Sequence, residues 1–246
     1  MEWRDEGIIL AVRGHGETSA IAEVFTAGHG RVLGLIRGGR SRQMRPVLQP
    51  GNAVLLTWRA RLEEHLGHIT LEPTAMRAGF IIENALRLSG LAALTALAQV
   101  LPEREPHRKL YEATRIVLEA IDHDDIWPAL LVRWEVGLLD ELGFGMDLSK
   151  CASTGTDEQL VFVSPRSGKA VSAEAGAPFA HKLLRLPAFL TGGNEASRAD
   201  VQLGFALTGY FLERHVFGPR NMVVPQARSL LLQALEKRPA TAKEGA

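Results

Sequence analysis

The feature that most constrains this chain is a change of hydrophobic period near residue 76. Upstream of it, apolar and polar positions alternate. In "NAVLLTWRARL" (52–62), Val54, Leu56, Trp58, Ala60 and Leu62 fall on one side, and Leu55, Thr57, Arg59 and Arg61 on the other. That is the two-residue period of a half-buried strand. "GIILAVRG" is a second apolar run, ending in the turn-prone "GHGE". "AIAEVFTAGHGRVLGLIRGG" holds two more, broken by Ala27-Gly28-His29-Gly30, a hairpin signal. "EEHLG" then turns the chain into "HITLEP".

Four or five short strands, with ten glycines by Gly67, predict a small closed or partly closed barrel over 1–76. An oligonucleotide-binding (OB) barrel fits best, although period alone also allows an SH3-like one. From residue 77 to 238 the pattern is helical, so the fold class expected is α+β and multidomain. "RAGFIIENALRLSGLAALTALAQVL" shows no alternation and ends before Pro102. In the next segment Leu110, Tyr111, Thr114, Val117, Leu118 and Ile121 form one stripe. A third helix can be capped by Asp125, takes Pro128 in its first turn, turns Leu130, Leu131, Trp134, Leu138 and Leu142 inward, and stops at Gly143. Residues 147–176 break the pattern, and "LVFVSPRSGKAVS" reads as a β-hairpin insert. Helices resume with Val201, Phe205, Thr208 and Leu212 on one side, and "QARSLLLQALEK" is the last. A polar tail, 239–246, is expected to be disordered.

Most functional classes find no support. Gly14-His15-Gly16 and Gly28-His29-Gly30 lack the third glycine and following helix of a dinucleotide site, and no Walker or nucleophile-elbow motif occurs. His65 and His68 have no third ligand in reach and read as surface histidines. Cys151, the single cysteine, excludes an intramolecular disulfide. As a small buried hydrophobe it needs no catalytic role. The acids Asp122, Asp124 and Asp125 read as a helix junction. The opening "MEWRDEGIIL" is no signal peptide, and the run at 89–101 is too short to span a bilayer. A cytoplasmic, non-enzymatic protein with no small-molecule substrate and no membrane partner is expected.

Charge is more informative. The chain carries 28 basic and 28 acidic residues, yet from Arg31 to Arg61 there are seven arginines and no acid. These are Arg31, Arg37, Arg40, Arg42, Arg45, Arg59 and Arg61. Four of them sit in "RGGRSRQMR", where Gly38-Gly39 frees the backbone to follow an irregular phosphate path. Arginine's planar fork suits phosphate oxygens. A solvated basic loop explains the segment equally well. Arg214, His215, Arg220, Arg228, Lys237 and Arg238 form a second, weaker basic region, which ordinary helix ends would account for. Aromatics are scarce in the barrel, just Trp3, Phe25 and Trp58, and Trp58 lies on the apolar face. Binding should therefore lean on phosphates.

"DEGIILAVRGHGETSAIAEVFTAGHGRVLGLIRGGRSR", with "MDLSKCASTG", "FVSPRSGKAVS" and "LERHVFGPRNMVVPQARSLL" in this order, resembles the RecO family of bacterial recombination mediators. The resemblance implies an OB barrel followed by a helical domain. It also implies binding of single- and double-stranded DNA, annealing of complementary strands, and assistance to RecA loading on DNA coated by single-strand-binding protein (SSB). The partners it implies are RecR and the C-terminal tail of SSB, and it makes Arg37, Arg40, Arg42 and Arg45 the DNA contact. Arg31, Arg59 and Arg61 are added on charge alone. Many members hold the insert with a four-cysteine zinc site. Here Cys151 matches the first ligand and Thr154 stands where its partner would be, so zinc is expected to be absent. The insert would instead be packed through Leu160, Phe162 and Val171. Two rivals remain: an adaptor of the repair machinery whose barrel binds protein, with DNA binding incidental, and a small hydrolase using Cys151 or a histidine.

Overall fold

The computed structural model describes residues 1–62, 65–193 and 195–237. Glu63, Glu64, Asn194, Arg238 and the tail lie outside them. There are two compact units: Met1–Glu112 with the segment from Pro225 onward, and Ala113–Val224. Strands give way to helices near residue 77, but the first unit continues to 112, so early helices belong with the barrel.

Strands β1 (Glu2–His15), β2 (Ser19–Thr26), β3 (Gly30–Ile36), β4 (Ala53–Arg59) and β5 (His68–Ala75) close in the order β1-β2-β3-β5-β4. This is an OB barrel. β1 is longer than its apolar run because it serves two neighbours. Gly7–His15 pair with β2 and Glu2–Ile8 with β4, with a shift of register between Ile9 and Ala11. Such irregularities bend a strand around a barrel. β3 and β5 close it by one parallel pair, Leu35 with His68. A Cβ at Gly34 would lie 2.4 Å from Ile69 Cγ1, so only glycine permits this approach.

Ile9, Val24, Val32, Leu56, Trp58 and Ile69 fill the interior, none more than 2% exposed. Val54, Leu56 and Trp58 point inward as their alternation predicts. Ala60 and Leu62 do not continue the strand. β4 ends at Arg59; Ala60 still exchanges hydrogen bonds with Met1 and packs against the core, and Leu62 is 47% exposed. Arg61 therefore lies outside the strand.

The helical run from 77 is two helices, α1 (Ala78–Ile82) and α2 (Ala85–Ala98). Asn84 adopts an extended conformation between them and accepts hydrogen bonds from Leu86 N and Arg87 N, the action of an N-cap. The unit boundary falls within α3 (Arg108–Glu119), and the six stripe residues from Leu110 to Ile121 are all buried.

In the second unit, α4 (Trp127–Glu141) is not capped by Asp125. Its N-cap is Ile126, with no side-chain bond; Pro128 removes one orphan N–H, and Asp124 accepts from Trp127 Nε1 at 3.4 Å. Leu131, Trp134 and Leu138 are buried, whereas Leu130 and Leu142 are only half-buried; Gly143 follows at φ +84°. The insert holds β6 (Leu160–Val163), β7 (Ala170–Ser172) and α5 (Ala173–Gly176), but a third strand, β8 (Leu184–Arg185), joins β6. The expected hairpin, β6 with β7, is present, and β8 extends it to a three-stranded sheet; two residues are too few to show a period. Leu160, Phe162 and Val171 are buried in it. Helix α6 (Arg198–Phe211) opens on a Ser197–Asp200 capping box and continues as a π-helical turn, Leu212–Phe217. Thr208 donates to the buried Glu135 carboxylate of α4. The chain closes with α7 (Gln226–Lys237), packed on α2 in the first unit. Among the described residues, no helix is long and apolar enough to cross a membrane.

Candidate nucleic-acid interface

The segment from Arg37 to Asn52 is irregular but built. Gly38 adopts φ +67°, and a Cβ on Gly39 would lie 2.8 Å from Ala20 Cβ and 3.1 Å from Ile36 O. The glycine pair therefore makes a tight turn against β2 and β3 rather than a loose tether. Successive bonds follow: Ser41 N to Gly38 O, Met44 N and Arg45 N to Ser41 O, and Leu48 N to Met44 O. Val47 and Leu48 are buried in the barrel core. Burial of this kind stabilises by about 1.5–3 kcal/mol per side chain.

Asn52 locks the far end. Fully buried, it donates Nδ2 to Pro46 O at 2.8 Å and Val47 O at 3.0 Å, while Oδ1 accepts from Arg77 N at 2.8 Å and Ala78 N at 3.1 Å. One amide thus ties the basic segment to the start of α1. At the near end, Arg40 N donates to Thr18 O and Arg40 Nη1 to Gly16 O at 2.7 Å, joining the segment to the β1–β2 turn.

The seven predicted arginines are not one set. Arg37, Arg40, Arg42 and Arg45 are all exposed. Arg40 and Arg45 line a cleft of about 420 Å³ with Gly14, Gly16 and Gln49. Arg37 and Arg59 line a groove of about 440 Å³ across the β3–β5 seam, its apolar wall formed by Leu35, Met44 and Leu71. Arg61 is exposed beyond the end of β4.

Arg31 is different. Its Nη1 lies 2.6 Å from Glu23 Oε1, its Nε donates to Leu101 O at 2.8 Å, and its side chain is only 15% exposed. It is a fold-holding residue. Glu23 on β2 and the Leu101 carbonyl claim its guanidinium. Arg59 also has a partner, Glu2 at 2.8 Å, but both side chains are more than half exposed. The Arg59 hydrogen bond holds the Glu2 carboxyl below the usual range, and Arg59 is raised in turn. Such an exposed pair exchanges readily with water or another anion.

Three exposed basic residues near the loop stand outside the predicted set. His68 lines the groove beside Arg59, whereas Arg13 and His15 are exposed on β1 but alternate with Val12 and Gly14, the residues that line the cleft. The pairing of β4 with β5, which sets His68 opposite Arg59, is the signal that places His68. Glu17 is the acid in the adjoining turn. The barrel's rings offer no open platform: Phe25 and Trp58 are buried, and Trp3 is stacked between His29 (3.9 Å) and Trp58 (5.5 Å). Of the C-terminal basic residues, Arg228 is buried in α7.

The residues around Cys151 do not fit a structural zinc. Among the described residues no three His, Cys, Asp or Glu side chains gather to hold a metal. Burial pushes the Cys151 thiol up, but hydrogen bonds from Ser172 and Thr154 outweigh it and bring the pKa down to about 6. Thr154, standing where a second ligand would be, serves the sulfur as a partner.

A closed OB barrel with an ordered arginine-rich segment at its surface, joined to a helical unit bearing a small sheet, defines the class. Two family descriptions match in series: Recombination protein O N terminal over residues 1–77 and Recombination protein O C terminal over residues 82–222. The chain belongs to the RecO family of DNA repair proteins. The DNA repair protein RecO of Mesorhizobium japonicum is 54% identical over 245 residues, 99% of this chain and 97% of that protein. That of Chelativorans sp. is 52% identical over 237 residues, 96% of each, and that of Sinorhizobium medicae 49% over 247 residues, 100% and 99%.

Proposed function

We propose that this chain is a non-enzymatic DNA-binding and strand-annealing mediator of recombinational repair in the bacterial cytoplasm. It would assist RecA loading on SSB-coated single strands, together with RecR and through the C-terminal tail of SSB. The observation that carries the reading is the segment 37–52: four exposed arginines, no acid, and a backbone anchored by Val47, Leu48 and Asn52. A pinned loop loses little conformational freedom on binding, so its charge acts at full effect. Arg37, Arg40, Arg42 and Arg45 neutralise phosphates, with Arg59 and His68 extending the path along the groove and Arg61 just beyond the end of β4. Neutralising two strands at once lowers their repulsion, and base pairing supplies the energy of annealing.

The test is an anisotropy titration of labelled single-stranded DNA over a salt series, comparing wild type with a variant carrying Ala at Arg37, Arg40, Arg42 and Arg45. Four lost contacts reduce the log–log salt slope by up to about 3, at roughly 0.7 per single-strand phosphate. An unchanged slope with tight binding would move the contact elsewhere. No binding by wild type at low salt would sink the reading in favour of an adaptor.

A further inference from the structure

The barrel has arginines but no free ring, whereas the second unit has an exposed ring, Phe144, and two exposed arginines, Arg214 and Arg220. Phe144 stands three residues past α4, its backbone fixed by a 2.8 Å bond from its N to Leu139 O, and the residue is 36% exposed. Its ring lies 5.2 Å from that of His215 at an interplanar angle of 15°, and His215 lies 5.9 Å from Phe211 at 10°. Phe211 is buried and meets Tyr210 edge-on at 5.3 Å. Three nearly parallel rings thus form a column anchored in the core at Phe211 and reaching solvent at Phe144.

The cations come from the same stretch. Arg214 donates to Tyr210 Oη at 3.1 Å, with its guanidinium 5.9 Å from that ring, and Arg220 is exposed just beyond. Glu213 is the single acid from Tyr210 to Arg220, and Asp140 on α4 faces Gly145. His215 and Arg214 stand in the π-helical turn Leu212–Phe217. Turns of this type are uncommon and concentrate at functional sites.

We infer that this column is a stacking contact for unpaired nucleobases, with Arg214 and Arg220 meeting the adjoining phosphates. Every base offers a π-face to a ring, and arginines beside aromatics are how sequence-tolerant single-strand sites are made. The inference rests on the reading that the chain binds single strands, and it gives the second unit a contact of a different kind: the barrel reads charge, this column reads bases. An apolar, acidic peptide is the rival occupant.

The probes are an oligothymidylate and an abasic strand of equal length, titrated against full-length wild type, Phe144→Leu, Phe144→Trp and the four-arginine loop variant. Wild type should prefer the thymidylate. Phe144→Leu keeps the apolar bulk but weakens thymidylate binding by about tenfold, to the abasic level, while abasic binding and the salt slope stay put. Phe144→Trp keeps the preference. A wild type blind to the missing bases, or a Phe144→Leu variant that retains the preference, overturns the column as a base contact. So would unchanged binding of both strands by Phe144→Leu together with loss of an acidic peptide. In those cases a reduced slope in the loop variant leaves the barrel reading standing. If wild type binds neither strand, both readings fall together.

Discussion

Arg31 and the arginines of 37–45 stand in one acid-free run, yet they do different work. Arg31 is drawn into the first unit by groups on other segments: Glu23 across the β2–β3 hairpin, the Leu101 carbonyl beyond α2, and Glu103 at 3.8 Å. The loop arginines meet no carboxylate closely enough for an ion pair among the described residues, and Arg40 commits one donor to a carbonyl. Five N–H donors on each guanidinium leave ample capacity for a phosphate. The charge of a segment is local, but its availability is decided by which acids the fold delivers. Where Glu23 arrives, an arginine becomes part of the fold; where only glycine and serine backbone arrives, it stays available.

The sharpest way to break this contrast is to remove the anchor of the available set. Asn52→Ala deletes four hydrogen bonds from a fully buried amide and leaves the groups it served unpaired, a loss of about 3–4 kcal/mol in unfolding free energy. Urea denaturation measures it, and the surviving folded protein should also bind single strands less tightly. A loss under about 1 kcal/mol would mean that the loop is held by something else. Next in size is Arg31→Ala. It strands Glu23 in a half-buried position and should cost about 2–3 kcal/mol. The salt slope of DNA binding should not move. A stable Arg31→Ala protein whose slope drops by about 0.7 would transfer Arg31 to the DNA-binding set and erase the contrast.

Much of the fold was legible because period is a local property. Val54, Leu56 and Trp58 alternate into the barrel, and the stripe from Leu110 to Ile121 turns inward as written. What escaped depended on partners. Ala60 leaves the strand while still bonded to Met1, and β8 is defined only by its two-residue pairing with β6. Asn84 as a cap needed the extended backbone that only packing selects. The loop arginines were legible as charge, while the withdrawal of Arg31 depended on Glu23, eight residues upstream across a hairpin. The ordered state of the loop also escaped, since Gly38-Gly39 reads as freedom until Ala20 is seen beneath it. Family resemblance supplied DNA as the ligand; composition and spacing went no further than an anion.

The finest test falls on Arg59, which stands between the two classes. Its hydrogen bond is the largest influence holding the Glu2 carboxyl below the ordinary range, and both partners are open to water. A depressed carboxylate contributes stability above its unfolded pKa and loses it as pH falls through the folded value. Exposure makes that contribution too small to resolve by denaturation at neutral pH. Side-chain NMR titration is sensitive enough. Arg59→Ala should return Glu2 to the usual carboxylate range with no measurable change in the unfolding midpoint. Single-stranded DNA should do something similar to wild type, by competing for the same guanidinium, and should raise the Glu2 pKa more there than in Arg59→Ala. If DNA leaves Glu2 where it was, Arg59 belongs with Arg31 among the residues that hold the barrel, and the strand's path does not cross the β3–β5 seam.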